Sequence, residues 1–418
     1  MPASRSPVPA PAGPAGPGTV GEVFVAFLRL GLTSFGGPVA HLGYFREAFV
    51  VRLGWLGDRA YADVVALCQF LPGPASSQVG MAIGLQRAGV RGLLAAWAGF
   101  TLPSAVLMVA FAYGVTAFGD DAGAGWIGGL KAAAVAVVAQ AVLGMTRTLT
   151  PDARRATIAA GAAITTLLLP TVAGFPVALG QVGVIALAGV AGLAWLGSLS
   201  DDGAAEPFTV RVGRGAAVTC LVVFGALLVA LPLLAAATDG GVARLVDVFY
   251  RAGSLVFGGG HVVLPLLQAE LVPSGLVGHD QFLAGYGAAQ AVPGPLFTFA
   301  AYLGAITTSG PSGLAGAAIA LVAIFLPSAL LVVGGLPFWE RLRGAPRARR
   351  ALAGVNAGVV GLLAAALYDP VFTQGVLGAS SPVVALALAI AAFVALTRWS
   401  APPWAVVLVA GVLGWALL

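Results

Sequence analysis

Charge is scarce in this chain: 9% of its 418 residues are Asp, Glu, Lys or Arg, against about one quarter in a soluble domain. That shortage excludes a water-solvated globule. Cysteine is scarcer still, and Cys68 and Cys220 both lie in apolar stretches, which argues for buried thiols and against a disulfide framework or a metal site. Lys131 is the only lysine. No alternation of polar and apolar residues appears, which excludes a membrane β-barrel. There is no H-E-x-x-H helix, no Ser-His-Asp order and no catalytic pair of carboxylates, so the chain does not read as an enzyme, and nothing calls for a cofactor.

What is there is apolar: 59% hydrophobic residues and a mean hydropathy of +0.97. A span needs roughly 20 mostly apolar residues, and such runs recur from Gly92 to Leu417, which predicts an all-α polytopic protein in a lipid bilayer. The net charge of +5 comes from arginines scattered over short loops, which excludes nucleic acid as a partner. Residues Met1 to Thr19 are rich in Pro, Ala and Gly and read as a disordered tail. The first apolar stretch contains Glu22 and Arg29, and no A-x-A-like site follows it, so a removable signal peptide is not expected.

The chain repeats itself. "FLRLGLTSFGGPVAHL" (Phe27 to Leu42) matches "FYRAGSLVFGGGHVVL" (Phe249 to Leu264), "QFLPGP" (Gln69 to Pro74) matches "QAVPGP" (Gln290 to Pro295), and "FTLPSAVL" (Phe100 to Leu107) matches "IFLPSALL" (Ile324 to Leu331). Three motifs in one order mean a duplication. The expected organisation is a tail (1–19), a first repeat (20–200), a loop and linking helix (201–240) and a second repeat (241–418).

Arginine placement sets the orientation. Arg87 and Arg91 precede the span Gly92–Phe118, Asp120 and Asp121 follow it, and Arg147, Arg154 and Arg155 follow the next span. In the second half the loop before Leu314–Leu336 has no basic residue, while Arg341, Arg343, Arg347, Arg349 and Arg350 follow it. The sign is reversed. With Ala216–Ala237 as an extra crossing, this is an inverted-topology repeat, the plan of many secondary transporters, with a cytoplasmic N-terminus and an outside C-terminus. Glu22–Phe35 and Val39–Val51 are each about a dozen residues, or roughly 18 Å of helix, too short for a core of about 30 Å. They form either one broken span or a re-entrant hairpin tipped by "FGGP", and the segments around "PGP" pose the same choice. Arg46, Arg52 and Arg59 favour hairpins, because only hairpins keep them on the side of Arg87 and Arg91. The expected count is then nine full spans and four hairpins.

Gly and Pro at a tip break the helical ladder, and free backbone groups are tolerated at membrane depth only against protein or a wet cavity. The half-helix that follows offers N–H groups and the positive end of its dipole to an anion. The alternative is that these residues merely kink or closely pack helices. Arg29 and Arg251 occupy matched positions before the tips and suit an oxyanion; otherwise they pair with Glu22 or Asp247, or snorkel. Lys131, whose repeat partner is Asn356, is a second cationic contact or a residue at a span end. His41 and His261 follow the Gly-rich tips and are oxyanion donors, proton carriers or structural residues. Gln69, Gln290, Ser76, Ser77 and Thr298 add neutral donors.

The ordered set of motifs resembles the long-chain, two-domain chromate ion transporter family, from about Glu22 to Leu418. The resemblance implies efflux of chromate across the plasma membrane and chromate resistance, with sulfate as the lookalike anion. It carries substrate-binding roles onto Arg29, Gly36, Gly37, Pro38, Gln69, Pro72, Gly73 and Pro74, and onto Gly258, Gly259, His261, Gln290, Pro293, Gly294 and Pro295. A carrier for sulfate or another oxyanion and an anion channel stay open, as do the coupling mode and the choice between monomer and homodimer.

Overall fold

The computed structural model describes residues 18–118, 124–169, 177–197, 208, 210, 212–238, 240–257 and 260–418. Most of the expected tail, residues 1–17, lies outside the described residues. All regular elements among the described residues are helical.

Helix α1 (Val20–Thr33) opens on a capping box: the Thr19 hydroxyl accepts from the Glu22 N–H at 3.2 Å, and the Glu22 carboxylate accepts from the Thr19 N–H at 3.0 Å. It stops at Ser34, in extended conformation. Gly36 then takes φ +99° and α2 (Gly37–Arg46) begins, with Pro38 in its first turn. Helix α2 runs back along α1. Phe49 packs 4.7 Å from Phe27, and Trp55 lies under the Arg87 guanidinium at 4.7 Å. Arg87 is also where the chain enters, because its carbonyl accepts from the Gly18 N–H at 3.0 Å. Entry and exit share one level, so α1 and α2 form a re-entrant hairpin.

Helix α3 (Asp58–Phe70) and the first limb of α4 (Ala75–Phe118) make the second hairpin. Leu71 is extended ahead of Pro72, as the residue before a proline tends to be, and Gly73 at φ +125° closes the tip. Helix α4 is broken at Ala88 and Gly89. Its limbs fold together there; a Cβ on Gly84 would lie 2.8 Å from that of Ala96. The second limb, 90–118, is a full span. Then follow α5 (Ala124–Leu149), α6 (Ala153–Leu168), α7 (Val177–Trp195) and the linking helix α8 (Arg214–Ala237).

The second half repeats the plan. Helices α9 (Gly241–Leu255) and α10 (Val263–Leu271) form one hairpin; α11 (His279–Ala291) and α12 (Phe299–Ala305) form the other, with Val292 extended before Pro293 and Gly294 at φ +101°. Helix α13 (Gly313–Gly335) is the span, followed by the short α14 (Trp339–Arg343), α15 (Pro346–Ala366), α16 (Pro382–Arg398) and α17 (Pro403–Leu417). A Cβ on Gly313, where the second half's hairpins enter, would lie 3.0 Å from the hydroxyl of Tyr113, far down the second limb of α4. The two sets of hairpins therefore enter from opposite ends of the bundle. This is the inverted repeat.

The halves also exchange helices. Helices α6 and α7 pack on α15, while α16 and α17 pack on α5. Glycines let the backbones touch at equivalent places: a Cβ on Gly354 would lie 2.7 Å from the Cα of Gly192, and one on Gly414 would lie 2.5 Å from the Cα of Gly129. Small residues at crossings are how helices associate where lipid removes the hydrophobic drive.

Five helices among the described residues are long and apolar enough to cross a membrane; α6, α16 and α17 have 16, 17 and 15 residues, and α7 has 19. The Ser380 hydroxyl donates to the Leu418 carbonyl at 3.3 Å, so α16 and α17 leave and return at one level.

Candidate functional site: four hairpin tips

The four tips meet inside the bundle, and they meet across the halves. Gly73 donates its N–H to the carbonyl of Val256 at 2.7 Å, and Gly294 donates its N–H to the carbonyl of Ser34 at 2.9 Å. Gly294 is the repeat partner of Gly73, and Val256 that of Ser34, so the two bonds are images of one another. The spans join in the same way. A Cβ on Gly73 would lie 2.5 Å from the hydroxyl of Ser328, and one on Gly294 would lie 2.8 Å from that of Ser104. Each Pro-Gly-Pro tip thus faces the other half's "FGG" tip and "LPS" serine.

The surrounding side chains are polar and closed off from the exterior. Ser34, Gln78 and Ser328 are 0% exposed. The hydroxyls of Ser34, Ser77, Thr101 and Ser328, Oε1 of Gln78 and Nε2 of Gln290 have no hydrogen-bond partner. A buried polar atom without a partner costs about 1–3 kcal/mol. Six such atoms stand around one junction with hydrogen-bonding capacity that no protein group takes up. Local bonds hold the frame: Gln78 Nε2 donates to the Pro72 carbonyl at 2.6 Å, Ser104 donates to the Thr101 carbonyl at 3.1 Å, and Thr298 donates to the Pro295 carbonyl at 2.9 Å. His41 stands 3.2 Å from the Ser34 carbonyl and 3.4 Å from the Ser76 hydroxyl, with its edge on Phe100.

Of the residues expected from sequence, the junction brings together His41, Pro72, Gly73, Pro74, Ser76, Ser77, Gln290, Pro293, Gly294, Pro295 and Thr298. Gly36 is the N-cap of α2 and Gly37 its first residue. Pro38 opens that helix, but its side chain lies outside the described residues, as do Gly258 and Gly259 entirely.

The cations are elsewhere. Arg29 is exposed on α1, and Gln69 is exposed on α3. The Arg251 guanidinium is taken up by Asp247, at 2.6 and 2.9 Å, and by Glu270 at 2.8 Å. Lys131 is 6% exposed and bonds Asp280 at 2.8 Å, at the start of α11 and far along it from the tip. His261 Nδ1 meets the Tyr286 hydroxyl at 2.7 Å. Asn356 is half-buried on α15, its Oδ1 without a partner. Asp63 is buried: it accepts from the Phe208 N–H and the Trp339 indole, each at 2.9 Å.

Ser34, Gln78, Thr101, Ser104 and Ser328 were not among the expected site residues. The signal was present for two of them, since "LPS" recurs with its serine in an otherwise apolar span.

A family model described as chromate transporter matches residues 21–193 and again 243–415. Similar proteins include the chromate transport protein of Pseudomonas aeruginosa, 28% identical over 83% of this chain and 80% of its own length. The chromate transport protein of Cupriavidus metallidurans is 27% identical over 84% of this chain and 82% of its own. An uncharacterized transporter of Methanocaldococcus jannaschii is 26% identical over 82% of each. No solved structure matches. With matched segments covering both structural repeats, the chain is a multi-pass membrane protein that belongs to the chromate transporter family.

Proposed function

We propose that this protein is a secondary transporter that exports chromate from the bacterial cytoplasm, conferring chromate resistance, and that the tetrahedral oxyanion binds where the four tips meet. The observation that carries the reading is the mirrored pair of tip bonds, from Gly73 to Val256 and from Gly294 to Ser34, ringed by polar atoms without partners.

The chemistry is complementary. An oxyanion brings acceptors and no donors. The hydroxyls of Ser34, Ser77, Thr101 and Ser328 and the amide of Gln290 are donors in want of acceptors. In the closed arrangement the N–H groups of Gly73 and Gly294 are occupied by carbonyls. A dianion displaces those carbonyls, gains charge-assisted hydrogen bonds and parts the tips, which couples binding to movement of one half against the other. Arg251 is held by Asp247 and Glu270 and offers no free guanidinium to the anion. All four tips come from one chain, so the reading requires no second copy.

Direction follows from the potential and the arginines. Basic loops mark the α1 entry side as cytoplasmic, which puts the C-terminus outside. With the inside negative, expelling a dianion gains about 2.3 kcal/mol per charge per 100 mV, or roughly 4.6 in all. A second reading is a carrier for sulfate, favoured by the same observation, because neutral hydroxyls and amides read shape and charge rather than the central atom.

The test is chromate uptake into everted membrane vesicles with sulfate as competitor. Expected is saturable uptake that grows as the vesicle interior is made positive and that falls at least tenfold in Ser77→Ala/Ser328→Ala. Unsaturable flux would point to a channel. Uptake indifferent to the double substitution would remove the tips from the path.

A further inference from the structure

The pseudo-twofold leaves one surface unmatched. Helix α8 links the halves and has no repeat partner, and it packs on α9 and α13. Its Leu221 and Phe224 join Leu67, Leu71, Leu331 and Trp339 in an apolar cluster. The repeat carries Leu67 onto Ala288, Phe70 onto Ala291, Leu71 onto Val292 and Leu331 onto Leu107. Among the described residues those counterparts share no one cluster: Ala291 packs against Leu130 and Val407, and Val292 against the main core. They line an open apolar slot of about 640 Å³ between α4, α5, α11 and α17, with Phe111, Trp126 and Gly411 on its other walls. What α8 fills in one half stands unfilled in the other.

We infer that this slot holds one acyl chain of a phospholipid, which stands in for the missing helix and supports α11 behind its Pro-Gly-Pro tip. The volume lies within the roughly 300–1,000 Å³ of small-ligand sites, whereas a helix is about 10 Å across and does not enter a slot of this size. Water gains nothing there, because apolar cavities stay dry. Trp126 near the start of α5 and Trp415 near the end of α17 border the slot at one end, the place of indole rings at the headgroup level. Val292, also in the lining, is the residue before Pro293, so whatever occupies the slot bears on the tip.

Two kinds of variant fill the slot from different walls. Ala288→Leu/Ala291→Phe restores the residues of the filled counterpart. Gly411→Leu comes from α17, where the nearest atom to an added Cβ is Leu130 Cδ2 at 3.5 Å, ordinary contact. The full chain is purified with phosphatidylethanolamine and phosphatidylglycerol and examined by native mass spectrometry; melting is then followed after stripping and re-adding the same lipids. Native protein is expected to retain one phospholipid more than either variant. Re-added lipid is expected to raise its melting temperature and leave both variants unmoved. Equal retention and equal lipid response overturn the inference, and so does cross-linking from slot cysteines into dimers, which would make a second copy the occupant. Failure here leaves the chromate reading intact, because lipid retention and lipid-dependent melting are read without transport.

Discussion

Gly73 and Ser328 approach so closely that a Cβ on the glycine would lie 2.5 Å from the serine hydroxyl, and Gly73 also holds φ +125°, a conformation costly to residues with a side chain. Gly73→Ala therefore loses stability twice, through backbone strain of about 1–2 kcal/mol and through the clash. Adding Ser328→Ala removes that oxygen and leaves the strain together with the 2.7 Å approach to Gln78 Nε2. Thermal melts of the purified single and double variants check this: the double variant melts between native and Gly73→Ala. A double variant no more stable than the single one would refute the contact.

The unpartnered hydroxyls predict an inverse relation between stability and activity. Ser77→Ala and Ser328→Ala each delete a buried oxygen that has no hydrogen-bond partner, so stability stays level or rises by up to about 1 kcal/mol. Chromate uptake falls in both. A parallel fall in stability and uptake would show that these serines hold the fold and nothing more.

How far the sequence reveals all this depends on whether a feature is local. Pro-Gly-Pro at matched positions marks the tips because proline removes an N–H wherever it stands, and Arg46, Arg52 and Arg59 betray the returning hairpins because charge stays near water. The exchange of α6 and α7 onto α15 leaves no trace in either repeat, since glycine pairs such as Gly192 and Gly354 acquire meaning only when the two helices are seen together. Ser328 was hidden for a related reason. A serine in an apolar helix ordinarily bonds the carbonyl one turn back, and only the approach of Gly73 gives it another role. The cations Arg29 and Lys131 drew attention by their cost in an apolar segment, but side-chain length let one remain exposed and the other reach Asp280.

The matched arginines have unlike surroundings, and unlike outcomes follow. Arg251 sits between Asp247 and Glu270, while the same repeat offset places Val25 and Ala48 beside Arg29. Arg251→Gln strands a carboxylate that is 4% exposed, Asp247, and is expected to cost about 3 kcal/mol. Arg29→Gln is expected to leave melting unchanged. Adding Asp247→Asn and Glu270→Gln to Arg251→Gln restores most of the loss if the ion pairs are the cause, as melts of the single and triple variants would show.

Lys131 and Asp280 form a pair with unequal members: the lysine side chain is 7% exposed and the aspartate 67%. Removing either charge breaks the same bond but strands a different partner. In Lys131→Met the remaining carboxylate turns to water, and an apolar chain of similar length fills the lysine's place, so the change is within about 1 kcal/mol. In Asp280→Asn an ammonium stays mostly buried without a counter-charge, which is the costly case. Asp280→Asn is therefore expected to melt several degrees below Lys131→Met, and Lys131→Met/Asp280→Asn to recover to the level of Lys131→Met alone. Equal melting of the two single variants would mean that water reaches the ammonium, and that this end of α5 is open rather than sealed against α11.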